Sequence, residues 1–368
     1  MSRPRQIPAV IMRGGTSKGV FLRAEDLPPA GPGRDALVLD VMGSPDPMQI
    51  DGLGGTHSST SKVMVVGPGV EPGIDVSYWF AQVGVDRPLV DWSGNCGNLT
   101  TAVGPFAVDA GIVTAVAPVA TLRLRNENTG VVVRATVPVG DDGRAATDGD
   151  HEVAGVPTPG APVATDYLDP AGGDRGALPT GSATELVDSI VVSLVDVTHP
   201  YAFAAAADLG LDLAGAAAPA DLNTDPALLA RLERLRGGCS VRLGAATSSS
   251  AAADEAPILP RLVLVGAAHG DDHDLAALGV SMGKVHHALP MTGALCLAGA
   301  AALTGTVPAT LLSGSPGGRI RIRHPKGVVV LTAEVDTTVA PPEVRSVGVV
   351  RTARRLMSGE AHLRRAHG

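Results

Sequence analysis

Residues 91–113 read DWSGNCGNLTTAVGPFAVDAGIV, and the folding of this stretch decides how the rest of the chain is arranged. Gly94 and Gly97 flank Cys96, and Ser93 or Asn95 can cap a following helix. The residues after Asn95 are small or apolar, and Gly111 supplies a stop. The spacing predicts a helix from about Asn95 to Gly111 with Cys96 at its start. A cysteine there feels the positive end of the helix dipole, which favours its thiolate. The same amides can hold a carboxylate. The competing reading is a buried structural cysteine.

On either side of this helix the chain alternates between short apolar runs and turns. Ile7–Met12, Ser61–Val66, Val76–Val83, Ala120–Leu124 and Val131–Val137 are β-branched or alternating and predict strands. A helix is predicted from about Asp35 to Met42. Residues 138–183, rich in Gly, Asp, Pro and Thr, read as a loop-heavy approach to a domain boundary. A second set then begins. Strands are expected at Ser189–Val195, Arg261–Val265, Arg319–Arg323, Val328–Val335 and Val344–Arg351. Helices are expected at Ala204–Leu209, Ala227–Leu235 and His286–Leu303. In that last helix MTGALCLAGAAALTGTV places Cys296 much as Cys96 is placed in the first half, a faint sign of internal duplication. The division expected is 1–184 and 185–368.

The 368 residues suit two domains. Apolar residues make up 45% and aromatics 2%, so Val, Leu, Ala and Ile must fill the cores. A formal net charge of −8 with so few rings argues against a nucleic-acid binder, which needs clustered cations and stacking platforms. The Arg-rich tail from Arg351 to Arg365 predicts a solvated terminal helix. The three cysteines, Cys96, Cys239 and Cys296, are odd in number and widely spaced, so no disulfide framework follows. The N-terminus lacks the apolar run of a secretory signal, and Asp208 and Asp212 interrupt the stretch nearest to a membrane span, Ala202–Ala218. The expectation is a cytoplasmic protein without membrane or nucleic-acid partners.

Three further segments carry candidate chemistry. In MRGGTSKG, Gly14 and Gly15 let backbone amides approach an anion, and Ser17 and Lys18 add polar contacts; the alternative is a hairpin turn with an exposed lysine. In GSPDPMQIDGLGGTHSSTSK, Lys62 stands at the edge of the apolar run VMVV. Partial burial lowers a lysine's pKa and would suit it to general-base work, against the alternative of a surface lysine. In SMGKVHHALPMTG, Lys284, His286 and His287 lie near the start of the second long helix, as cations for substrate carboxylates or as solvated residues. Two competing signals stand beside these. Ser59-Thr60-Ser61-Lys62 with Ser93-Gly94-Asn95 matches the S-x-x-K and S-x-N strings of serine acyltransferases, but a β-branched run follows and no K-T-G string exists. HGDDHD, His269 to Asp274, has metal-ligand residue types, although such a run is usually a solvated loop.

Taken together, RGGTSKG, GSPDP, IDGLGG, SSTSK, DWSGNCGNL and SMGKVHHA resemble the PrpF family in order and spacing, from about Ile7 to past Arg323. That family includes 2-methylaconitate cis–trans isomerases and 4-oxalomesaconate tautomerases. The resemblance implies an α+β fold of two pseudo-symmetric diaminopimelate-epimerase-like domains. Each would be a central helix wrapped by mostly antiparallel sheet, with the active site in the cleft between them. It implies no metal and no organic cofactor, with Lys62 and Cys96 as the acid/base groups. Substrate carboxylates are expected at Ser17, Lys18, Asn95, Gly97 and Asn98, and at Met282 and Lys284 of the second half. The expected activity is proton-transfer isomerisation of a small unsaturated tricarboxylate. The alternatives are an oxalomesaconate tautomerase and a non-catalytic tricarboxylate-binding accessory protein. The epimerases of this fold use one cysteine from each half; here the second would have to be Cys296. A homodimer is compatible with an exposed-edge α+β chain, and nothing in the sequence derives one.

Overall fold

The computed structural model describes residues 6–364 apart from 173–174, 215–217, 282 and 313–317. The chain divides into two compact units, Met1–Thr165 with Val350–Gly368, and Asp166–Val349. The boundary therefore lies near 165 rather than 184, and the end of the chain returns to the first unit.

The first unit contains β1 (Gln6–Gly14), β2 (Ser17–Arg23), α1 (Pro32–Met42), β3 (Lys62–Pro68), β4 (Val76–Val83), β5 (Val90–Asp91), α2 (Gly97–Asp109), β6 (Val119–Asn126) and β7 (Val132–Pro138). β1 and β2 form an antiparallel hairpin, β2 runs parallel to β3, β3 antiparallel to β4, β4 parallel to β6, and β6 antiparallel to β7. β8 (Pro162–Leu168) crosses the boundary between the units.

The second unit repeats the ladder. After β9 (Glu185–Val187) come β10 (Ile190–Val197), β11 (His199–Ala205), α3 (Pro219–Leu222), α4 (Pro226–Arg242), α5 (Ala252–Glu255), β12 (Arg261–Ala267), β13 (Leu275–Ser281), β14 (Lys284–Val285), α6 (Met291–Ala302), α7 (Val307–Leu311), β15 (Arg319–His324) and β16 (Gly327–Asp336). Its pairings β10–β11, β11–β12, β12–β13, β13–β15 and β15–β16 follow the same antiparallel, parallel, antiparallel, parallel, antiparallel order. The duplication is thus carried by topology more clearly than by residues.

In the first unit two helices sandwich the strands. Val63 and Val65 pack with Leu37, Val38, Val41 and Met42 of α1 in one cluster, together with Val20, Leu22, Ala81 and Val83. Alternation then turns Lys62, Met64 and Val66 to the opposite face, that of α2. Burial on both faces explains why β3 reads as an unbroken apolar run after its lysine. The same parity puts Ser17, Gly19 and Phe21 of β2 on the α2 side, where the Phe21 and Phe106 rings meet at 5.4 Å. Ten consecutive residues of α2, Leu99–Val108, are buried. A helix apolar all round can only be stable inside a unit. Small residues let it approach: a Cβ on Gly104 would lie 2.7 Å from a Val137 methyl. In the second unit α6 is likewise buried from Gly293 to Ala301, and α4 supplies the outer layer through Leu232, Leu235 and Cys239.

Three expectations are corrected. The Arg-rich tail is a strand, β17 (Glu343–His362), rather than a helix. Its first part pairs with β16, and Ala353–His362 pairs with β1, whose outer edge would otherwise be an open row of backbone donors and acceptors. Arg355 and Arg364 ion-pair with Asp109 and Asp40. The helix expected from His286 starts only at Met291, after Pro290 as N-cap, because the residue before a proline disfavours the α conformation. Ala204–Leu209 is the end of β11 followed by one 3-10 turn at Ala206–Leu209. The segment 138–183 is loop-heavy as expected, with the one named strand β8, and the boundary between the units falls within it. Among the described residues no helix is long and apolar enough to cross a membrane.

Candidate active site

The first unit gathers the candidate chemistry around the first turn of α2. Gly14 and Ser17 close the β1–β2 hairpin, so MRGGTSKG forms a hairpin seated on the helix, with Lys18 half-buried. A Cβ on Gly14 would lie 2.4 Å from the Asn98 carbonyl oxygen, and one on Gly15, at φ +48°, would lie 2.2 Å from Asn98 Oδ1. Only glycine permits that approach. Asn98 Nδ2 completes the seat by donating to Thr16 Oγ1 at 3.1 Å. The first helical bond of α2 runs from the Thr100 N–H to the Cys96 carbonyl at 2.9 Å. The earlier amides of Gly97, Asn98 and Leu99 lie outside the helical ladder, as at any helix start.

Cys96 is the N-cap of α2, in extended conformation at φ −119° and ψ 95°. It is 9% exposed, and its Sγ donates to Ser17 Oγ at 3.9 Å. Asn95 Oδ1 accepts from Thr100 Oγ1 at 3.0 Å, which fixes the loop just before the cysteine.

Lys62 opens β3 on the same face and is also 9% exposed. Its Nζ donates to Gln82 Oε1 at 2.6 Å and stands 5.0 Å from the centre of the Phe80 ring. Strand β2 links the two candidate side chains. Ser17 touches Cys96, and a Cβ on Gly19, two residues along on the same face, would fall 2.9 Å from the Lys62 carbonyl oxygen and 2.7 Å from a Leu99 methyl. Ser17, Gly19, Lys62 and Cys96 thus surround the start of one helix. Lys18 falls on the opposite face by strand alternation, although its N–H donates to Ser59 O at 3.0 Å.

Sequence reasoning missed Phe80, Gln82 and Asn128. Asn128 Oδ1 accepts from the Phe80 N–H at 3.0 Å, and its Nδ2 donates to Phe80 O at 2.9 Å and to Trp92 O. It ties β4 to the loop leading to Cys96. The available signal was the alternation in VSYWFAQV, which sets Tyr78, Phe80 and Gln82 on one face.

The competing readings lose their geometry. Lys62 begins a strand, and Ser59 Oγ bonds to His57 Nδ1 at 3.2 Å. Ser93 Oγ donates to Asp91 at 2.6 Å. In HGDDHD, Asp272 pairs with His273 and Arg323, and Asp274 with Arg321. Among the described residues no three His, Cys, Asp or Glu side chains are grouped to hold a metal.

In the second unit Lys284 is exposed on β14 and Met282 lies outside the described residues. His286 Nδ1 contacts the Ala288 carbonyl at 2.7 Å, and the His286 and His287 rings stack at 4.5 Å. Cys296 is not at a helix start. It lies inside α6, fully buried, donates to Val195 O at 3.5 Å, and burial drives its pKa far above the ordinary thiol value. The residue at the N-cap, equivalent by topology to Cys96, is Pro290. Cys239 is buried in α4, and burial pushes its pKa up to about 12.

A family model described as PrpF protein matches residues 4–364. The chain is 38% identical to a 3-methylitaconate isomerase of Eubacterium barkeri, over 100% of this chain and 99% of that protein. It is 37% identical to a 2-methyl-aconitate isomerase of Shewanella oneidensis and to a 4-oxalomesaconate tautomerase of Pseudomonas putida, with at least 95% of each covered. The crystal structure of a methylitaconate-delta-isomerase superposes with a TM-score of 0.90 at 37% identity, covering 99% of this chain and 97% of that one. A hydroxyproline epimerase structure, 12% identical, superposes with a TM-score of 0.54 over 98% of this chain and 94% of that one, and shares the fold alone.

Proposed function

This chain belongs to the PrpF family and is an isomerase of unsaturated carboxylic acids; from that premise we propose that it moves a proton between carbons of a small unsaturated tricarboxylate, 2-methylaconitate or aconitate first, with Lys62 and Cys96 as the acid/base pair. The observation that carries this reading is their convergence on one face, through Ser17 and Gly19, at the start of α2.

Lys62, as the free amine, takes a proton from the carbon next to a carboxylate. The C–H bond breaks, an N–H bond forms, and the electron pair spreads into the carboxylate as a dienolate. The amides of Gly97 and Asn98, with the positive end of α2 behind them, hold the anionic oxygens. The Cys96 thiol gives its proton to the far carbon, so the double bond moves; when instead the Lys62 ammonium returns its proton to the first carbon after rotation of the dienolate, the double bond is restored in the other geometry. After the double bond has moved, the ammonium and thiolate left behind exchange one proton to restore the resting state. General acid/base help of this kind is worth about 10²–10⁴ in rate.

A tautomerase acting on a keto-acid is the second reading, supported by the equally similar Pseudomonas putida relative. Proton NMR in D₂O separates the two, using cis- and trans-aconitate, 2-methylaconitate, 3-methylitaconate and 4-oxalomesaconate. Isomerisation of an aconitate with deuterium uptake at one carbon is expected. Turnover of oxalomesaconate alone would replace the first reading by the second. Binding without exchange on any acid would leave an accessory protein.

A further inference from the structure

We propose that Gln82 is a positioning residue for proton transfer, an amide clamp that holds the Lys62 amine in place in both of its protonation states; this rests on the reading of Lys62 as an acid/base group. Lys62 and Gln82 face each other in the antiparallel register of β3 and β4, where side chains of directly opposed residues are neighbours. Gln82 Nε2 donates to Ser58 O at 3.1 Å and Ser61 O at 2.9 Å. Both partners are carbonyls, so reversing the amide would set Oε1 against two acceptors. The orientation is therefore fixed, and Oε1 faces Lys62 Nζ at 2.6 Å. Phe80, two residues earlier on the same face, places its ring 5.0 Å from Nζ. The amine is thus confined on two sides, by a carbonyl and by a ring.

The chemistry of the acceptor matters. An amide oxygen accepts an N–H from an ammonium and from a neutral amine, so the clamp persists when the proton leaves. A carboxylate in its place would favour the ammonium by direct charge attraction and oppose its use as a base. Among the described residues no carboxylate pairs with Lys62. The charged and titratable groups nearby are placed elsewhere. Asp91 of β5 lies opposite Gln82 in register but accepts from the N–H and hydroxyl of Ser93. His57 bonds to Ser59, Lys18 is on the other strand face, and Cys96 bonds to Ser17. Ser58 and Ser61 gain a role through their backbone, because their carbonyls orient the clamp.

The test is Gln82→Glu and Gln82→Asn in the full chain. Rate–pH profiles are measured on whichever acid of the panel turns over, and Lys62 is followed by carbon-13 NMR of lysine-labelled protein, assigned with Lys62→Arg. In Gln82→Glu the Lys62 titration and the acidic limb of kcat are both expected to move up by at least about one pH unit. kcat at pH 7 is expected to fall about tenfold, with KM changed less than about threefold. In Gln82→Asn, one methylene shorter, kcat is expected to fall about tenfold with no upward movement of the limb. A Lys62 titration unchanged in folded Gln82→Glu overturns the clamp. If that variant does not fold, kcat of Gln82→Asn within about twofold of the parent overturns it. If the Lys62 titration moves and the rate profile does not, the clamp stands and Lys62 loses its place in the mechanism.

Discussion

Ser17 Oγ lies 3.9 Å from Cys96 Sγ, a contact that joins the edge of a hairpin to the start of a buried helix across 79 residues of chain. Of the three cysteines Cys96 keeps a residual 9% exposure, whereas Cys239 and Cys296 are fully buried. In native protein near neutral pH, iodoacetamide is expected to modify one thiol quickly, and mass spectrometry should place it on Cys96. Rapid labelling that survives in Cys96→Ala would contradict this packing.

Gly19 separates the Lys62 backbone from Leu99 with no room for a methyl group, since an added Cβ would lie within 3.0 Å of both. Gly19→Ala should cost about 1–3 kcal/mol of unfolding free energy, the usual range for overpacking. Activity should fall further than stability accounts for, because the same strain displaces Lys62. Urea unfolding beside steady-state kinetics checks both.

Asp109 ends α2 and is a junction of the first unit. Its carboxylate accepts from the Ala145 N–H at 2.9 Å and from Arg355 at 2.8 Å. Asp109→Ala leaves a donor on each side and should cost about 1–3 kcal/mol. The double variant with Arg355→Ala should cost less than the sum of the singles, the signature of a direct contact. Strict additivity in denaturant titrations would show that the pair contributes nothing.

Stability should also fall in alkali. Burial raises the Cys239 pKa from 9.0 to about 12. The folded chain thus keeps a proton that the unfolded chain releases. The contribution is whole below about pH 9 and is lost as pH rises toward about 12, at about 1.4 kcal/mol per pH unit. Cys239→Ala should be less stable at pH 8 because of its cavity, yet lose less between pH 8 and 10. A slope equal to the parent's would argue against a buried neutral thiol.

Much of this protein was legible in its residues. Local period and punctuation located β4 at Val76–Val83 and placed β1, β3, β6, β7, β10, β12, β15, β16 and α2 within a few residues, because these segments are bounded by Gly, Pro or charge, whereas β2, β11 and β13 carried no such signal. Cys96 at a helix start followed from SGNCGN alone. The motifs also carried the family, since several short strings in a fixed order are more specific than any one of them.

Other features depended on long-range partners. The tail became a strand because the edge of β1 needed one, and no pattern within the tail encodes that need. Cys296 looked like a second Cys96 in sequence, but the start of α6 at Met291 buried it more than a turn inside the helix. Ser17 and Lys18 are neighbours in sequence and lie on opposite faces of one strand. Gln82 carried no motif at all; register set it against Lys62, and two serine carbonyls fixed which end of its amide faces the amine. Sequence determines what each segment can form, because propensity and period act over a few residues. Which side chains meet is decided by strand register and helix burial, which join residues far apart in the chain.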